Sequence, residues 1–274
     1  MYTNRYMAYR RLRNFILGFT LIVALVQCKT YKIQSVSSET TNTTFIPTLV
    51  INSILVEHQY EGNDSGKLAR IEITGEIKSI PQWAFAIVPT LEEVKLAPSV
   101  KIFDDNAFFS CKRLKKINLN NVESIGENCF KFSALEDVNL AKATTIKEFA
   151  FSNCSYLQNI IFSENLKTIG EFAFSGDSAL VTCHIPSGNI GASAFMGCSH
   201  LEQITFGKVV SIGNAAFLDC TSLSSVVIPT SVKSIGNEAF VGCTKLKEVI
   251  VNSHNTKIAE DAFAKNVIIT YKNR

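Results

Sequence analysis

From Leu68 towards the C-terminus, large apolar residues return in the same order every 21 to 23 positions. The most regular column is Phe85, Phe108, Phe130, Phe151, Phe174, Phe195, Phe217, Phe240 and Phe263. Five residues ahead of each stands Ile80, Phe103, Ile125, Ile146, Ile169, Ile190, Ile212, Ile235 or Ile258. Behind each phenylalanine but the last, a leucine opens an L-x-x-apolar-x-apolar run: "LEEVKL" from Leu91, "LKKINL" from Leu114, "LEDVNL" from Leu135 and so on to "LKEVIV" from Leu246. An earlier copy, "LARIEI", starts at Leu68. The last apolar pair of each run is two residues apart, the period of a strand with one buried face.

One short strand per repeat leaves it no hairpin partner inside the unit. Each strand must therefore pair with its copy in the next unit, which predicts one long parallel sheet and a solenoid. Leucine, strand pair, isoleucine and phenylalanine then pile on their own copies, each buried side chain contributing about 1.5–3 kcal/mol. The phrase "SIGNEAFVGC", Ser234 to Cys243, with its relatives "SIGNAAFLDC" and "TIGEFAFSGD", is on this reading a chain corner and a core filler. Gly236, like Gly126, Gly170, Gly191 and Gly213, occupies a place that a β-carbon would obstruct, although Pro81, Asp104, Lys147 and Ala259 stand there in other units.

The unit "LSSVVIPTSVKSIGNEAFVGCTKL", Leu223 to Leu246, closely resembles the BspA-like class of leucine-rich repeat. The resemblance runs from about Leu68 to Phe263. It implies an α/β repeat solenoid, a leucine-rich-repeat superhelix with one parallel sheet on its concave face and short strands or helical turns on its convex side. It also implies a place among bacterial surface proteins, some of which attach to host matrix or to other cells. The asparagine ladder of commoner leucine-rich repeats is absent, Ser231 standing at the ninth position of its unit.

The ends differ in kind. Arg5, Arg10, Arg11 and Arg13 precede the apolar "FILGFTLIVALV", Phe15 to Val26, the arrangement of an export signal. As a helix these twelve residues reach only ~18 Å, against a hydrocarbon core of ~30 Å, which favours a signal over a stable span. "LVQCKT" resembles a lipoprotein box that would place a lipid on Cys28, except that Gln27 occupies the small-residue position. Plain cleavage at the same boundary is the alternative. The organisation expected is a signal over 1–28, a polar tether over 29–44, an N-terminal cap over 45–67, repeats over 68–263 and a C-terminal cap over 264–274. Asn42, Asn63 and Asn153 are glycan acceptors if the host is eukaryotic.

The composition, 46% hydrophobic with net charge +3, suits a packed chain, and the cationic surplus lies in the export segment, so nucleic acid is not indicated. Cys111, Cys154, Cys198, Cys220 and Cys243 all follow the column phenylalanine by three, Cys129 replaces the small residue before it, and Cys183 takes an inward strand position. Side chains stacked ~4.8 Å apart sit beyond the ~3.8 Å between β-carbons that a bridge wants, which favours buried thiols over bridges Cys198–Cys220 or Cys220–Cys243. No Cys-x-x-Cys, H-E-x-x-H or G-x-S-x-G occurs, and His58, His184, His200 and His254 have no partner at catalytic spacing. No cofactor, metal or catalytic residue is assigned.

Binding is expected on the concave sheet, at residues alternating outward: Glu93, Lys95, Lys116, Asn118, Asp137, Asn139, Asn159, Ile161, His184, Val227 and Ile250. Mixed charge with isolated apolar points suits a protein or glycan. The function expected is that of a non-enzymatic binding protein, at the cell surface, lipid-anchored to the outer membrane or secreted, acting as an adhesin. The alternative is a structural protein of the envelope.

Overall fold

The computed structural model describes residues 48–51, 54–59, 70–73 and 75–272, the first two stretches as backbone alone. The export segment with Cys28, the tether, and most of the stretch 45–67 lie outside the described residues. Strands Thr48–Ile51 and Ile54–Gln59 form an antiparallel pair, and the second of them lies antiparallel to Arg70–Ile73. From Arg70–Ile73 onward every pairing is parallel and joins one coil to the next.

The core is the stack that the repeat predicts. All nine column phenylalanines are buried, and consecutive rings lie 5.0–5.4 Å apart with interplanar angles of 3–16°. Each such pair adds about 0.5–1.5 kcal/mol to the stabilisation from burial. Phe103, in the isoleucine column, leans against Phe108 and Phe130, and Phe162 presents its edge to Phe174.

Each coil has two runs of strand. The short one, two residues ending at the column isoleucine, builds a continuous nine-stranded parallel ladder from Ser79–Ile80 to Lys257–Ile258. The longer one, opened by the leucine motif, was expected to build one long sheet and instead falls into segments. Asn118 takes over the pairing with the preceding strand through its side chain. Its side-chain carbonyl accepts the Leu96 N–H at 2.7 Å and its amide donates to the Leu96 carbonyl at 3.1 Å, so strand Lys116–Ile117 stops after two residues. In Thr182–Ile190 and Gln203–Ile212 the two runs merge into single strands, their register shifting between Gly188 and Asn189.

Of the short strands or helical turns expected on the side away from the longer strands, the short strands are present as the nine-stranded ladder. Helical turns are not found on the third side, and the α/β description falls with them, since the described residues contain no helix. The reason lies in the backbone two residues before and two after each column phenylalanine. Both places are left-handed in eight consecutive coils, from Trp83 (φ 61) and Ile87 (φ 58) to Glu238 (φ 56) and Gly242 (φ 76). A left-handed residue every fourth position forbids an α-helical run. The amides a helix would use are also spent between coils, as in Phe85 N–H to Ala107 O (2.8 Å), Phe108 N–H to Cys129 O (2.9 Å) and Phe130 N–H to Ala150 O (2.7 Å). The third side is therefore hydrogen-bonded along the solenoid axis like the other two. Where the asparagine ladder would run, Ser99 and Ser231 donate hydroxyls to Gly75 and Gly207 carbonyls of the coil before.

The corner glycine is required by close approach. A β-carbon on Gly213 would meet the Gly191 carbonyl carbon at 2.6 Å and the Ala192 nitrogen at 2.7 Å. Both are backbone atoms shared with the neighbouring coil, so neither can move alone. Gly213→Ala is expected to cost about 1–3 kcal/mol through this overpacking, read as a lower midpoint in urea with the slope unchanged.

Candidate functional site

The outward side chains of the longer strands form one surface with two chemically different halves. In the N-terminal half, register places Arg70 beside Glu93 and Glu72 beside Lys95. These pairs close to 3.3 Å and 2.7 Å, and the Glu72 hydrogen bond and charge raise the Lys95 pKa. Lys116 lies in register with Glu93. Next to this row Arg113 pairs with Glu92 (2.5 Å) and Lys115 with Glu136 (3.6 Å). The pairs are half-exposed, so they add little stability. Their effect is to neutralise the surface from within, each charge answered one coil away.

The sequence-predicted residues Glu93, Lys95 and Lys116 thus belong to one ladder, while Asn118 is spent on Leu96. Asp137 accepts the Asn159 amide at 2.6 Å, and Asn139 accepts the Ala141 N–H at 3.1 Å. The C-terminal half is apolar between hydrogen-bonded polar groups. Ile161, Val227 and Ile250 are 56%, 47% and 36% exposed, and His184 lies between the first two coils of that set with Nδ1 2.8 Å from the Thr205 hydroxyl. Branched apolar side chains whose polar neighbours His184 and Thr205 are already paired with each other can bury area against a partner at low desolvation cost. It offers no group poised to react.

The seven described cysteines are free and buried. Each thiol of the main row donates to the column phenylalanine carbonyl of the preceding coil: Cys111 to Phe85 (3.0 Å), Cys154 to Phe130 (3.2 Å), Cys198 to Phe174 (3.3 Å), Cys220 to Phe195 (3.2 Å) and Cys243 to Phe217 (3.2 Å). Burial pushes the Cys111 and Cys243 thiols up to about 12 and the others well above their usual range. Burial thus favours the neutral thiol over the thiolate, the form that attacks and that binds metal. Among the described residues no three His, Cys, Asp or Glu side chains come together to hold a metal. His200 faces Ser199 and His254 stacks on Tyr271 at 4.7 Å, each apart from His184.

Two features escaped the sequence reading. Asp177 takes a cysteine's place in the thiol row, fully buried, with one oxygen accepting the Cys154 N–H at 2.8 Å and the other unpaired. On the turn side, Trp83, Phe109, Phe132, Phe149 and Phe172 form a partly exposed aromatic stripe. In the sequence these are second aromatics near the column phenylalanine at differing offsets, so periodicity does not single them out.

With this geometry in hand, the family profile for the BspA type leucine rich repeat region matches in six copies, over residues 58–181, 123–214 and 179–272. Among solved structures, a leucine-rich repeat protein of Bacteroides ovatus aligns with TM-score 0.54 at 20% identity. The alignment covers 74% of this chain and 65% of that one, so the chain spans just under two thirds of that protein. At this identity the likeness carries the fold alone. A leucine rich cell surface protein of Faecalibacterium prausnitzii aligns at TM-score 0.29 and 19% identity, covering 83% of this chain and 95% of that one. The T. pallidum leucine rich repeat protein aligns at TM-score 0.35 and 25% identity, covering 70% and 78%. No curated protein matches the chain.

Proposed function

The chain belongs to the BspA-type leucine-rich repeat family, and from that premise we propose that it is a non-enzymatic binding protein, exported to the cell surface, that acts as an adhesin. Its ligand is a protein or a glycan held on the longer-strand sheet. The observation that carries this reading is the exposure of Ile161, Val227 and Ile250 on the outward face of the longer strands, along from an internally neutralised charge ladder. The apolar half supplies the buried centre of an interface and the paired polar groups its rim. Placement at the surface is supported by the family and by the signal and lipid-box sequence around Cys28.

The test is binding of the purified full chain to immobilised matrix proteins and to a glycan array. Val227→Lys and Ile161→Lys are expected to weaken capture more than tenfold. Charge reversal at Glu93, Lys95 and Lys116 together should weaken it less, because the ladder already answers its own charges. Capture that survives both apolar substitutions at full strength overturns the site. The structural alternative has one foothold: strand Ile268–Tyr271, exposed at all four residues, pairs among the described residues only with Glu248–Val251. Normal cell attachment with an altered envelope in a deletion strain would favour it.

A further inference from the structure

The left-handed positions on the turn side are filled in two ways. At most of them stand Asn, Ser, Gly, Asp, Ala or Glu, whereas Trp83, Ile87, Phe132, Phe149 and Phe172 hold φ of 61, 58, 64, 56 and 55. Large side chains in that region carry backbone strain. Burial does not repay it here, since Trp83, Ile87 and Phe132 are between 38% and 45% exposed. All five lie in the first five coils, and a sixth apolar residue, Phe109, joins them. Trp83 meets Phe109 edge-on at 6.0 Å, Phe109 meets Phe132 at 6.1 Å, and Phe149 stacks on Phe172 at 4.8 Å and 1°.

A cation already occupies this stripe. Lys131 Nζ sits 4.3 Å from the centre of the Phe149 ring and 5.5 Å from that of Phe132. Burial lowers its pKa, partly offset by the charge of Glu127. Beside the stripe runs a column of acids, one per coil at the third residue before the column phenylalanine: Asp105, Glu127, Glu148 and Glu171, giving way to Ala192 and Asn214 where the stripe ends. Asp105 is held by the Glu127 N–H and by Lys147 at 3.1 Å. Glu148 and Glu171 are exposed and take no ion pair among the described residues. The coil after Phe172 places Ser193 where the next ring would be, so the stack ends beside Glu171 with no ring to follow.

The geometry points to a second binding surface, separate from the longer-strand sheet, that holds an extended cationic polypeptide segment with its Arg or Lys side chains on these aromatic faces. Ring faces attract cations, guanidinium most often, and the two acids without an ion pair, Glu148 and Glu171, match the partner's charge. Lys131 is the internal precedent, an ammonium seated between two rings with an acid nearby. The aromatic side chains supply contact area at little further entropy cost because packing already holds them.

The experiment titrates the full chain with a fluorescein-labelled peptide of eight alternating Arg and Ser residues, read by anisotropy at two salt concentrations. Phe172→Ala is expected to weaken binding roughly 3- to 30-fold. Glu148→Gln with Glu171→Gln should weaken it and flatten its salt dependence, with thermal midpoints near that of the parent protein. A peptide with citrulline in place of Arg should bind far less. Unchanged affinity in Phe172→Ala, equal binding of the citrulline peptide, or an equal loss from Glu202→Gln with Glu248→Gln on the opposite side each overturns the assignment. If Phe172→Ala does not fold, the glutamine pair and the citrulline peptide still decide it.

Discussion

Replacing Phe174 by alanine is expected to destabilise the array by about 3–5 kcal/mol. The ring is fully buried, stacked 5.2 Å from both Phe151 and Phe195, and met at its edge by Phe162. Its removal leaves a hole that backbone ladders on three sides prevent from collapsing. Stability in a solenoid is a sum of coil terms and nearest-neighbour terms, so the damage is local in space but cuts both couplings at one coil. Urea unfolding followed by hydrogen exchange should show early opening at the coils around Phe174, with the flanking coils persisting. Phe263→Ala, at the column's end with one stacking partner and 8% exposure, should cost clearly less. Equal losses at the two positions would contradict a nearest-neighbour core.

Asp177→Cys, in contrast, is expected to stabilise the protein by about 1–3 kcal/mol near neutral pH. The aspartate stands where five other coils place a thiol that satisfies the preceding phenylalanine carbonyl, and its own second oxygen has no partner. Burial raises its pKa well above the usual carboxylate range, although the Cys154 N–H works the other way. The sign follows from linkage. The unfolded chain releases this proton near pH 4, while the folded chain keeps it to higher pH, so the native state binds more protons across that window. The contribution is most favourable below about pH 4 and is lost as pH rises through the folded-state pKa. Asp105 has the opposite sign. Burial pushes its carboxyl up, but the Glu127 N–H and Lys147 outweigh that and hold it below its usual value. Its contribution is present above the unfolded pKa and lost in acid, and it is smaller because the group is partly exposed. Thermal midpoints from pH 4 to pH 8 should therefore fall in the parent protein and flatten in Asp177→Cys and Asp177→Asn. A parent profile that already rises across that range, unchanged by either substitution, would show that Asp177 is not the group in control.

Much of this was legible in the residues. The phenylalanine and isoleucine columns and the leucine runs need only a strand period and a repeat to define stacked coils, because like side chains in register bury each other whatever lies between them. The same spacing put Cys111, Cys154, Cys198, Cys220 and Cys243 on one inward row. The missing helix was also recoverable in part: Gly176, Gly197 and Gly242, with Asn153 at the same offset, mark a left-handed place two residues after the phenylalanine. The occupants that mask it are Ile87 and Phe132, which propensity alone would never put there.

What the chain determined by itself is the register: which residues are inward, how many coils there are, and that each must pair with the next. This follows from periodic burial, a local property repeated. Tertiary structure alone decided how the backbone amides are shared between coils, and hence that the third side is turn and not helix. It alone ended strand Lys116–Ile117 at Asn118, paired Arg70 with Glu93, left Asp177 one hydrogen bond short, and set Lys131 between two rings. Each of these depends on a neighbour in the adjoining coil, and no window of sequence shows what that neighbour's side chain will be free to do.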